Sequence, residues 1–440
     1  MTRYFHSVRL DQEKCKGCTN CIKRCPTEAI RVSAGKARIM EERCVDCGEC
    51  IRICPNKAKL AVTDPMDLLS AFDYSVALPA PSFMGQFKTG TNPAQVAGAL
   101  VLAGFDDVFE VSAAADVVTA AILDYLDSHP QPRPVISSAC PAVVRLVQVK
   151  YAALVENIIP VLAPMEVAAR IAKRRAFERG ITGRVGAFFI TPCPAKVTAS
   201  KQPVGVTDSS VDGIVSMNEC FALIRPLIEK AEPLTDYPRG SRSGVGWGRA
   251  GGEMQAVGVN SLAVDGIHNV ITVLNEVERG RLGDLDFIEA QACVGGCVGG
   301  CLTVENPFVS RIRVRKLAES SDPRPFSTSG KLDVFRYTRR VTPRLALSLD
   351  TDLSQAIAKM NHLEATEARL PGLDCGSCGS PSCRALAEDI VNNRAYETDC
   401  IFKLRERVHQ LAEEMVDLAS KVPPAMAPRE IPSSRKDDAE

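Results

Sequence analysis

Residues 15–26, CKGCTNCIKRCP, recur as residues 44–55, CVDCGECIRICP, and both copies have the spacing C-x2-C-x2-C-x3-C-P. Three thiolates on one tight loop can hold three corners of an iron-sulfur cubane, and the fourth, redirected by the following proline, reaches the other cluster. Zinc is the alternative metal, but zinc modules usually offer separated CxxC pairs. The spacing therefore predicts two 4Fe-4S clusters, one on Cys15, Cys18, Cys21 and Cys54 and the other on Cys44, Cys47, Cys50 and Cys25.

The bulk composition narrows the class of protein. A chain of 440 residues exceeds what one hydrophobic core usually serves, so several domains are expected. Lys plus Arg and Asp plus Glu number 53 each, which gives no support to a nucleic-acid partner. We expect a cytoplasmic protein with no membrane span, because no signal-peptide core and no long apolar run is present. In that compartment the 18 cysteines are expected to bind metal rather than form disulfides.

Beyond residue 73, short apolar runs alternate with helical patterns, which predicts parallel strands with covering helices. Three of the predicted strands end at a cysteine, namely Cys140, Cys193 and Cys293, and open α/β sheets place their sites beyond the strand ends. The pattern therefore locates a site at these thiols. The predicted helices cover 92–104 and 113–126, and the predicted strands cover 74–81, 106–112, 134–140, 184–193, 212–218 and 286–293.

The C-terminal part carries a further group of cysteines. A segment rich in Ser, Pro and Asp begins at Ser320 and predicts a linker. The spacing C-x2-C-x4-C-x16-C then offers four thiolates, which suit one more cluster or a tetrahedral zinc. The motif resembles the four-cysteine iron-sulfur domain of Rnf-type electron-transfer subunits and corrinoid iron-sulfur proteins, which favours 4Fe-4S. Its ligands would be Cys375, Cys378, Cys383 and Cys400.

Apolar residues near the C-terminus alternate four and three positions apart, which is the a/d seam of a short coiled coil. A homodimer would explain the seam, and so would an amphipathic helix packed on its own domain. Residues after Val422 have the composition of a disordered end. The seam consists of Leu404, Val408, Leu411, Met415, Leu418 and Val422.

Three short loops in the central part carry a resemblance to a known family. SSACP at 137–141, TPCPAK at 191–196 and EAQACVGGCVGG at 289–300 resemble, in this order, the three signature loops of [FeFe]-hydrogenases. The N-terminal repeat resembles a bacterial two-cluster ferredoxin. Together these resemblances cover roughly residues 1–315.

The resemblance implies an H-cluster, in which a 4Fe-4S cubane shares a cysteine sulfur with a two-iron unit that carries CO, cyanide and azadithiolate. Lys196 would pair with one cyanide, and Ser82, in APSF, would serve the second. The glycines of the third loop would let the backbone and the cofactor approach closely. Carried over by motif, the ligands would be Cys140, Cys193, Cys293 and Cys297, with Cys297 as the bridge.

Several positions depart from the catalytic pattern of that family. Ala139 stands where a cysteine relays protons, which predicts turnover lowered by about 10² to 10⁴. Thr191 and Gln291 replace methionines that line the two-iron pocket, so its polarity should differ. Cys301 is either a spare reactive thiol or a packed one, and Cys220 is expected in the core. The departures resemble the sensory branch of the family, group D more than the related group C.

We therefore expect a multidomain chain of mixed α+β and α/β class. It would combine a ferredoxin fold, a two-lobed α/β domain with mixed or parallel sheets, and a mostly helical iron-sulfur domain. The expected boundaries are 1–62 for the ferredoxin-type domain, 63–318 for the H-cluster domain, 319–365 for a linker and helical segment, 366–403 for the four-cysteine domain, and 404–440 for the final helix and tail.

The resemblance implies a slow, ferredoxin-type hydrogenase that cleaves H2 heterolytically and acts as an H2 or redox sensor. Its partners would be H2, protons, a redox partner such as ferredoxin, hydrogenase maturation proteins, and a signalling kinase or phosphatase. The alternative is an iron-sulfur cluster assembly factor of the Nar1 type, which carries no two-iron unit. That type typically lacks one complete ferredoxin motif, whereas both motifs are intact here.

Overall fold

Two antiparallel strand pairs and two one-turn helices carry the N-terminal cysteine repeat. Strand β1 pairs with β4 and β2 with β3, while one helix lies in each copy of the repeat. Each helix begins after a residue in the left-handed conformation, Thr19 in the first copy and Gly48 in the second. The bounds are β1 (Val8–Leu10), α1 (Asn20–Lys23), β2 (Ile30–Ser33), β3 (Lys36–Ile39), α2 (Glu49–Arg52) and β4 (Lys59–Ala61).

The computed structural model describes residues 4–129, 132–422 and 425–426, and it divides into two units, Met1–Ser348 and Leu349–Glu440. The predicted disordered end after Val422 lies outside the described residues, apart from residues 425–426. Among the described residues, none of the helices combines the length and the apolarity needed to cross a bilayer.

Two parallel sheets form the two lobes of the first unit. One has the order β6-β5-β8-β9, with Tyr74 opposite Val185, and the other has the order β10-β11-β7, with Phe287 opposite Val135. Strands β5, β8, β9 and β11 are almost fully buried, as expected of strands covered by helices on both faces, whereas β10 is only partly buried. The bounds are β5 (Tyr74–Pro79), β6 (Asp107–Val108), β7 (Val135–Ile136), β8 (Val185–Thr191), β9 (Gly213–Ser216), β10 (Ser261–Asp265) and β11 (Phe287–Gln291).

The covering helices begin directly after several strand ends. Cys140 precedes helix α5 and Cys193 precedes α7, and each is followed by a proline at the first helical position, where its fixed φ suits a helix start. Two of the expected ligands, Cys140 and Cys193, therefore lie directly before the first turn of a helix. The helices of this unit are α3 (Pro93–Leu102), α4 (Val111–Ser128), α5 (Pro141–Lys150), α6 (Pro164–Glu178), α7 (Pro194–Lys201), α8 (Met217–Ile224), α9 (Arg242–Gly246), α10 (Gly252–Val257), α11 (Ile267–Glu278) and α12 (Pro307–Ser320).

The described residues of the second unit form the α-helices α13 (Leu353–Arg369), α14 (Cys383–Val391) and α15 (Ile401–Ser420). Leu363 and Leu370 form a small core with Leu386. The apolar side chains of the predicted seam on α15 are exposed, with Met415 70% accessible. The helix is therefore amphipathic with an uncovered apolar face.

The mixed α/β class is confirmed, with a ferredoxin-like N-terminal part, two parallel sheets and a helical C-terminal unit. The expected linker differs from the structure in extent. Helix α12 ends at Ser320, as the composition predicts, but Phe335 is buried in the core of the first unit, and residues up to Ser348 belong to that unit. The predicted strand at 106–112 is short, because α4 already begins at Val111.

Candidate metal centre

Three strand ends of the first unit bring four cysteines around one cavity. Cys140 follows β7 and Cys193 follows β8, while Cys293 and Cys297 lie in the loop after β11. All four line the same cavity of about 370 Å³. Burial, and then the neighbouring thiolates, raise the pKa of Cys293 above its ordinary value, as expected of thiols that are crowded together without a metal. The structure thus brings together the four predicted ligands of the bridged cubane.

The glycines between these cysteines are required by close backbone packing. Gly296 has φ +86°, and a Cβ there would overlap the Gln291 amide oxygen and lie 2.5 Å from the Ala250 nitrogen. A Cβ at Gly300 would overlap the carbonyl oxygen of Pro192 and lie 2.9 Å from its carbon. The loop after β11 therefore lies directly against the loop after β8, which holds its cysteines beside Cys193.

Lys196 extends from α7 toward the same thiols. It is buried, and its Nζ donates to Cys297 Sγ at 3.8 Å. Burial alone would lower the pKa of Lys196, but the Cys297 and Cys193 thiolates raise it above its ordinary value. The side chain is therefore a buried ammonium that needs anionic partners.

A second cavity of about 560 Å³ adjoins the cysteines, and Cys140, Lys196, Gln291 and Cys297 lie in its wall. Ala139 also lines it, at the position where the family pattern has a proton-relaying cysteine. The remaining wall is mainly apolar and includes Val111, Ala115, Met165, Phe189 and Trp247.

Ser82 directly follows Ala80 and Pro81, which lie in the wall of this cavity. Its side chain is fully buried, and its Oγ has no hydrogen-bond partner among the described residues. Gly248, which lines the cavity, approaches so closely that a Cβ there would lie 2.9 Å from the Ser82 nitrogen. A buried donor without a partner is costly, so the hydroxyl would be stabilised by an additional acceptor close to it.

The donor set fits a two-iron unit with diatomic ligands. A buried ammonium beside Cys297, an unpaired hydroxyl at Ser82 and an apolar wall are what a compact anionic group with few bonds to protein requires. The Gln291 amide oxygen has no partner within the described part of the chain, but as an acceptor it would not bond an anionic group. Thr191 is placed differently: its hydroxyl donates to the Cys193 carbonyl at 2.9 Å, and it lies outside the wall of the 560 Å³ cavity.

Two buried glutamates lie close to Ala139 and Gln291. The Ser137 hydroxyl donates to Glu253 Oε1 at 2.6 Å and accepts from the Ala139 nitrogen at 3.1 Å. Glu289 accepts from Gln291 Nε2 at 2.9 Å, and the second oxygen of Glu253 has no partner among the residues that the structure describes. Burial, and then the charge of Glu289, raise the pKa of Glu253 well above its ordinary value. The protonated, neutral form of the Glu253 carboxyl group is therefore favoured.

The eight cysteines of the N-terminal repeat surround two further cavities. One cavity is lined by Cys15, Cys18, Cys21 and Cys54, and the other by Cys25, Cys44, Cys47 and Cys50. Each set combines three thiols of one copy with the last thiol of the other, which is the predicted exchange of ligands. Cys47 also lines the cavity around Cys293, so the second of these cavities adjoins the cavity around the four central cysteines.

The remaining cysteines lie elsewhere. Cys301 Sγ packs against Gly48 of the ferredoxin repeat, where a Cβ would lie only 2.6 Å from it, and burial raises the pKa of Cys301 to about 12. Cys220 is fully buried in the core, as predicted. In the second unit, Cys378, Cys383 and Cys400 border the small core, and Cys375 is exposed. None of the 18 cysteines forms a disulfide.

The sequence did not predict that Glu253, Glu289 and Arg52 would lie close to this site. Glu289 offers a signal in retrospect, since it is a charged residue within a strand whose other members are buried. Glu253 and Arg52 offer none, because their surroundings come from distant parts of the chain. Arg52 is the most distant, since it donates to Cys293, which is 241 residues away.

Comparisons with known proteins agree with this arrangement. The family profile described as iron only hydrogenase large subunit, C-terminal domain, matches residues 73–263 and 257–301, just over half of the chain. A 4Fe-4S dicluster domain profile matches residues 7–55, and an Fe-S cluster profile matches residues 370–402. No curated protein matches the chain significantly.

Solved structures of [FeFe]-hydrogenases are also similar to this chain. The structure of HydA(deltaEFG), which concerns stepwise H-cluster assembly, is 18% identical, with a TM-score of 0.48, and the match covers 63% of this chain and 96% of that one. A variant [FeFe]-hydrogenase of Chlamydomonas reinhardtii is 16% identical, with a TM-score of 0.44, and the match covers 64% of this chain and 91% of that one. On the family match over residues 73–301, the chain belongs to the iron-only hydrogenase large-subunit family.

Proposed function

We propose that this chain binds H2 and cleaves it heterolytically at an H-cluster held by Cys140, Cys193, Cys293 and Cys297. The observation that carries the proposal is the pair of adjoining cavities, one lined by these four thiols and the other by Cys297, Lys196 and apolar side chains. The first suits a cubane, and the second suits a two-iron unit tethered through the Cys297 sulfur.

When bound, the two-iron unit would supply the site at which H2 is split into protons and electrons. The protein's part is to hold that unit and to keep water away. The Lys196 ammonium would donate to one cyanide and the Ser82 hydroxyl to the other, and a hydrogen bond to a charged group contributes about 1.5–3 kcal/mol. The apolar wall around Phe189 and Trp247 excludes water and strengthens both interactions.

Electrons leave through the ferredoxin sites. H2 yields two protons and two electrons, and each cubane accepts one electron at a time. Cys47 lines the cavity that contains Cys293, so the ferredoxin cluster to which Cys47 belongs would accept each electron first. That cluster, on Cys25, Cys44, Cys47 and Cys50, would pass the electron to the cluster on Cys15, Cys18, Cys21 and Cys54. A redox partner such as ferredoxin would exchange electrons with the last of these.

Protons have a route that does not need the missing cysteine. The methyl group of Ala139 cannot carry a proton, but the Ser137 hydroxyl behind it bonds Glu253, and Glu253 lies beside Glu289. A neutral carboxyl group at Glu253 would exchange a proton with the Ser137 hydroxyl, to which it is hydrogen-bonded. Ser137 and Glu253 lie outside the wall of the 560 Å³ cavity, so proton transfer to the cavity would be slow.

The four-cysteine unit, together with the slow turnover that we expect from Ala139, would suit a sensory role of the group D type. H2 would set the redox state of the clusters, including a 4Fe-4S cluster on Cys375, Cys378, Cys383 and Cys400, and that state would be read by a signalling kinase or phosphatase. The exposed apolar face of α15 would form a homodimer. Hydrogenase maturation proteins would insert the two-iron unit. A Nar1-type assembly factor is not favoured, since it would leave the 560 Å³ cavity and Lys196 without a purpose.

Gas exchange tests the proposal. Purified protein with reconstituted 4Fe-4S clusters would be loaded with a synthetic two-iron complex, and the formation of HD from H2 in D2O would be followed by mass spectrometry. We expect exchange in the parent and none in Cys297→Ala, while Cys220→Ala, a buried thiol outside the site, keeps it. Equal exchange in Cys297→Ala, or none in a loaded parent, would refute the proposal.

A further inference from the structure

Arg52 connects the ferredoxin repeat to the loop after β11. It lies on α2, between Cys50 and Cys54, and its guanidinium reaches residues outside the repeat. Its Nη2 donates to Cys293 Sγ at 3.4 Å and to the Gly299 carbonyl at 2.7 Å, while Nη1 donates to the Glu49 carboxylate. The planar guanidinium of Arg52 thus forms hydrogen bonds both within the ferredoxin repeat and with the loop after β11.

The junction around Arg52 is closely packed. Gly48 lies against Cys301 Sγ, and Cys47, from the same turn, shares a cavity wall with Cys293. An arginine side chain keeps its positive charge throughout the physiological pH range. A permanent cation therefore lies between two neighbouring cluster sites, and it donates directly to a predicted ligand of the bridged cubane.

We propose that Arg52 is a positioning residue for electron transfer, which raises the reduction potential of the cubane on Cys293 by donating to that thiolate. This inference rests on the proposed function. Hydrogen bonds to cluster sulfurs and nearby charge are main determinants of the potential of an iron-sulfur cluster. A cation stabilises the reduced cubane, which carries one more negative charge, more than the oxidised one. The cubane thereby becomes a better acceptor of the electrons released from H2.

The structure offers a matched control in Arg24. Its Nη2 lies 3.6 Å from Glu49 Oε2, the other oxygen of the carboxylate that Arg52 bonds. Arg24 is 54% exposed, and Arg52 is 33% exposed. Replacing Arg24 with Gln removes the same charge from the same carboxylate but leaves the bond to Cys293 in place.

The test is a redox titration followed by electron paramagnetic resonance, on full-length protein that carries its 4Fe-4S clusters but no two-iron unit. The cubane signal is assigned by its loss in Cys293→Ala. We expect Arg52→Gln to reduce the ratio of reduced to oxidised cubane about tenfold at a fixed potential, which is about 59 mV for a one-electron couple. Arg52→Lys should shift it less, because it keeps the charge, and Arg24→Gln should leave it unchanged.

Two results would overturn the inference: an unchanged cubane potential in both Arg52 variants, or an equal shift in Arg24→Gln, which would show a general effect of net charge. If Arg52→Gln does not fold, Arg52→Lys alone decides, since its potential must still fall below that of the parent. The proposed function fails separately, when the parent shows no signal that depends on Cys293.

Discussion

A pair of adjacent glycines tests why the loop between Cys293 and Cys297 needs glycine. Gly295 and Gly296 both have positive φ, at +82° and +86°, but only Gly296 is crowded. A Cβ at Gly296 would lie 2.5 Å from the Ala250 nitrogen and 2.8 Å from the Arg249 carbonyl carbon. A Cβ at Gly295 would meet nothing closer than Val298 Cγ2 at 3.6 Å, which is ordinary contact.

The expected costs follow from these contacts. A positive φ costs a residue with a Cβ about 1–2 kcal/mol at Gly295. Gly296, with φ 86° and ψ −152°, lies in a region that is essentially restricted to glycine and costs other residues about 1–3 kcal/mol. Overpacking against groups that cannot move adds about 1–3 kcal/mol, and this applies only to Gly296. Gly296→Ala should therefore destabilise the protein by about 2–6 kcal/mol and Gly295→Ala by about 1–2 kcal/mol.

Anaerobic scanning calorimetry of the cluster-loaded protein measures the difference. Since 1 kcal/mol corresponds to roughly 2–4 °C in domains of 150–250 residues, Gly296→Ala should unfold at least about 2 °C below Gly295→Ala. Iron analysis should also show that Gly296→Ala loses about four irons, because the substitution displaces a loop with two ligands of one cubane. Equal melting temperatures and equal iron in both variants would refute the close-approach argument.

Four other changes test the site. Ala139→Cys should raise H2 evolution at saturating reductant, by up to about 10² to 10⁴, and an unchanged rate would show that the missing relay does not limit turnover. Glu253→Gln should lower the same rate by about 10² with metal content unchanged, and normal turnover would place the proton route elsewhere. Ser82→Ala should shift one cyanide stretching band in the infrared spectrum without loss of iron, and an identical spectrum would remove the proposed hydrogen bond. Lys196→Met should keep the iron of the 4Fe-4S clusters but bind the two-iron complex poorly, and normal loading in a gel-filtration binding assay would contradict its role.

Local patterns predicted most of the fold, because they report burial directly. Strands β5, β8, β9 and β11 lie where apolar runs were found. Strand β10 was missed, since Ser261–Asp265 is only partly buried along its whole length and its apolar signal is weak. The pairing of the ferredoxin thiols could be predicted because the repeat itself encodes the exchange of the fourth ligand.

The contacts between distant segments could not be predicted in the same way. Arg52 meets Cys293, and Ser137 meets Glu253, only because the ferredoxin repeat and the two sheets pack in a particular way. A sequence pattern shows which face of an element is apolar but not which polar groups will meet across an interface. The position of Thr191, whose hydroxyl bonds a backbone carbonyl rather than facing the 560 Å³ cavity, depends on the same kind of detail.

Infrared spectroscopy tests the central claim most directly, because CO and cyanide bound to iron absorb where protein does not. Protein that carries its 4Fe-4S clusters would be mixed with a synthetic two-iron complex, freed of excess complex and measured under argon and under H2. The account predicts protein-bound CO and cyanide bands that change under H2 and that are absent in Cys297→Ala. A parent spectrum without such bands, or with bands that persist in Cys297→Ala, would contradict it.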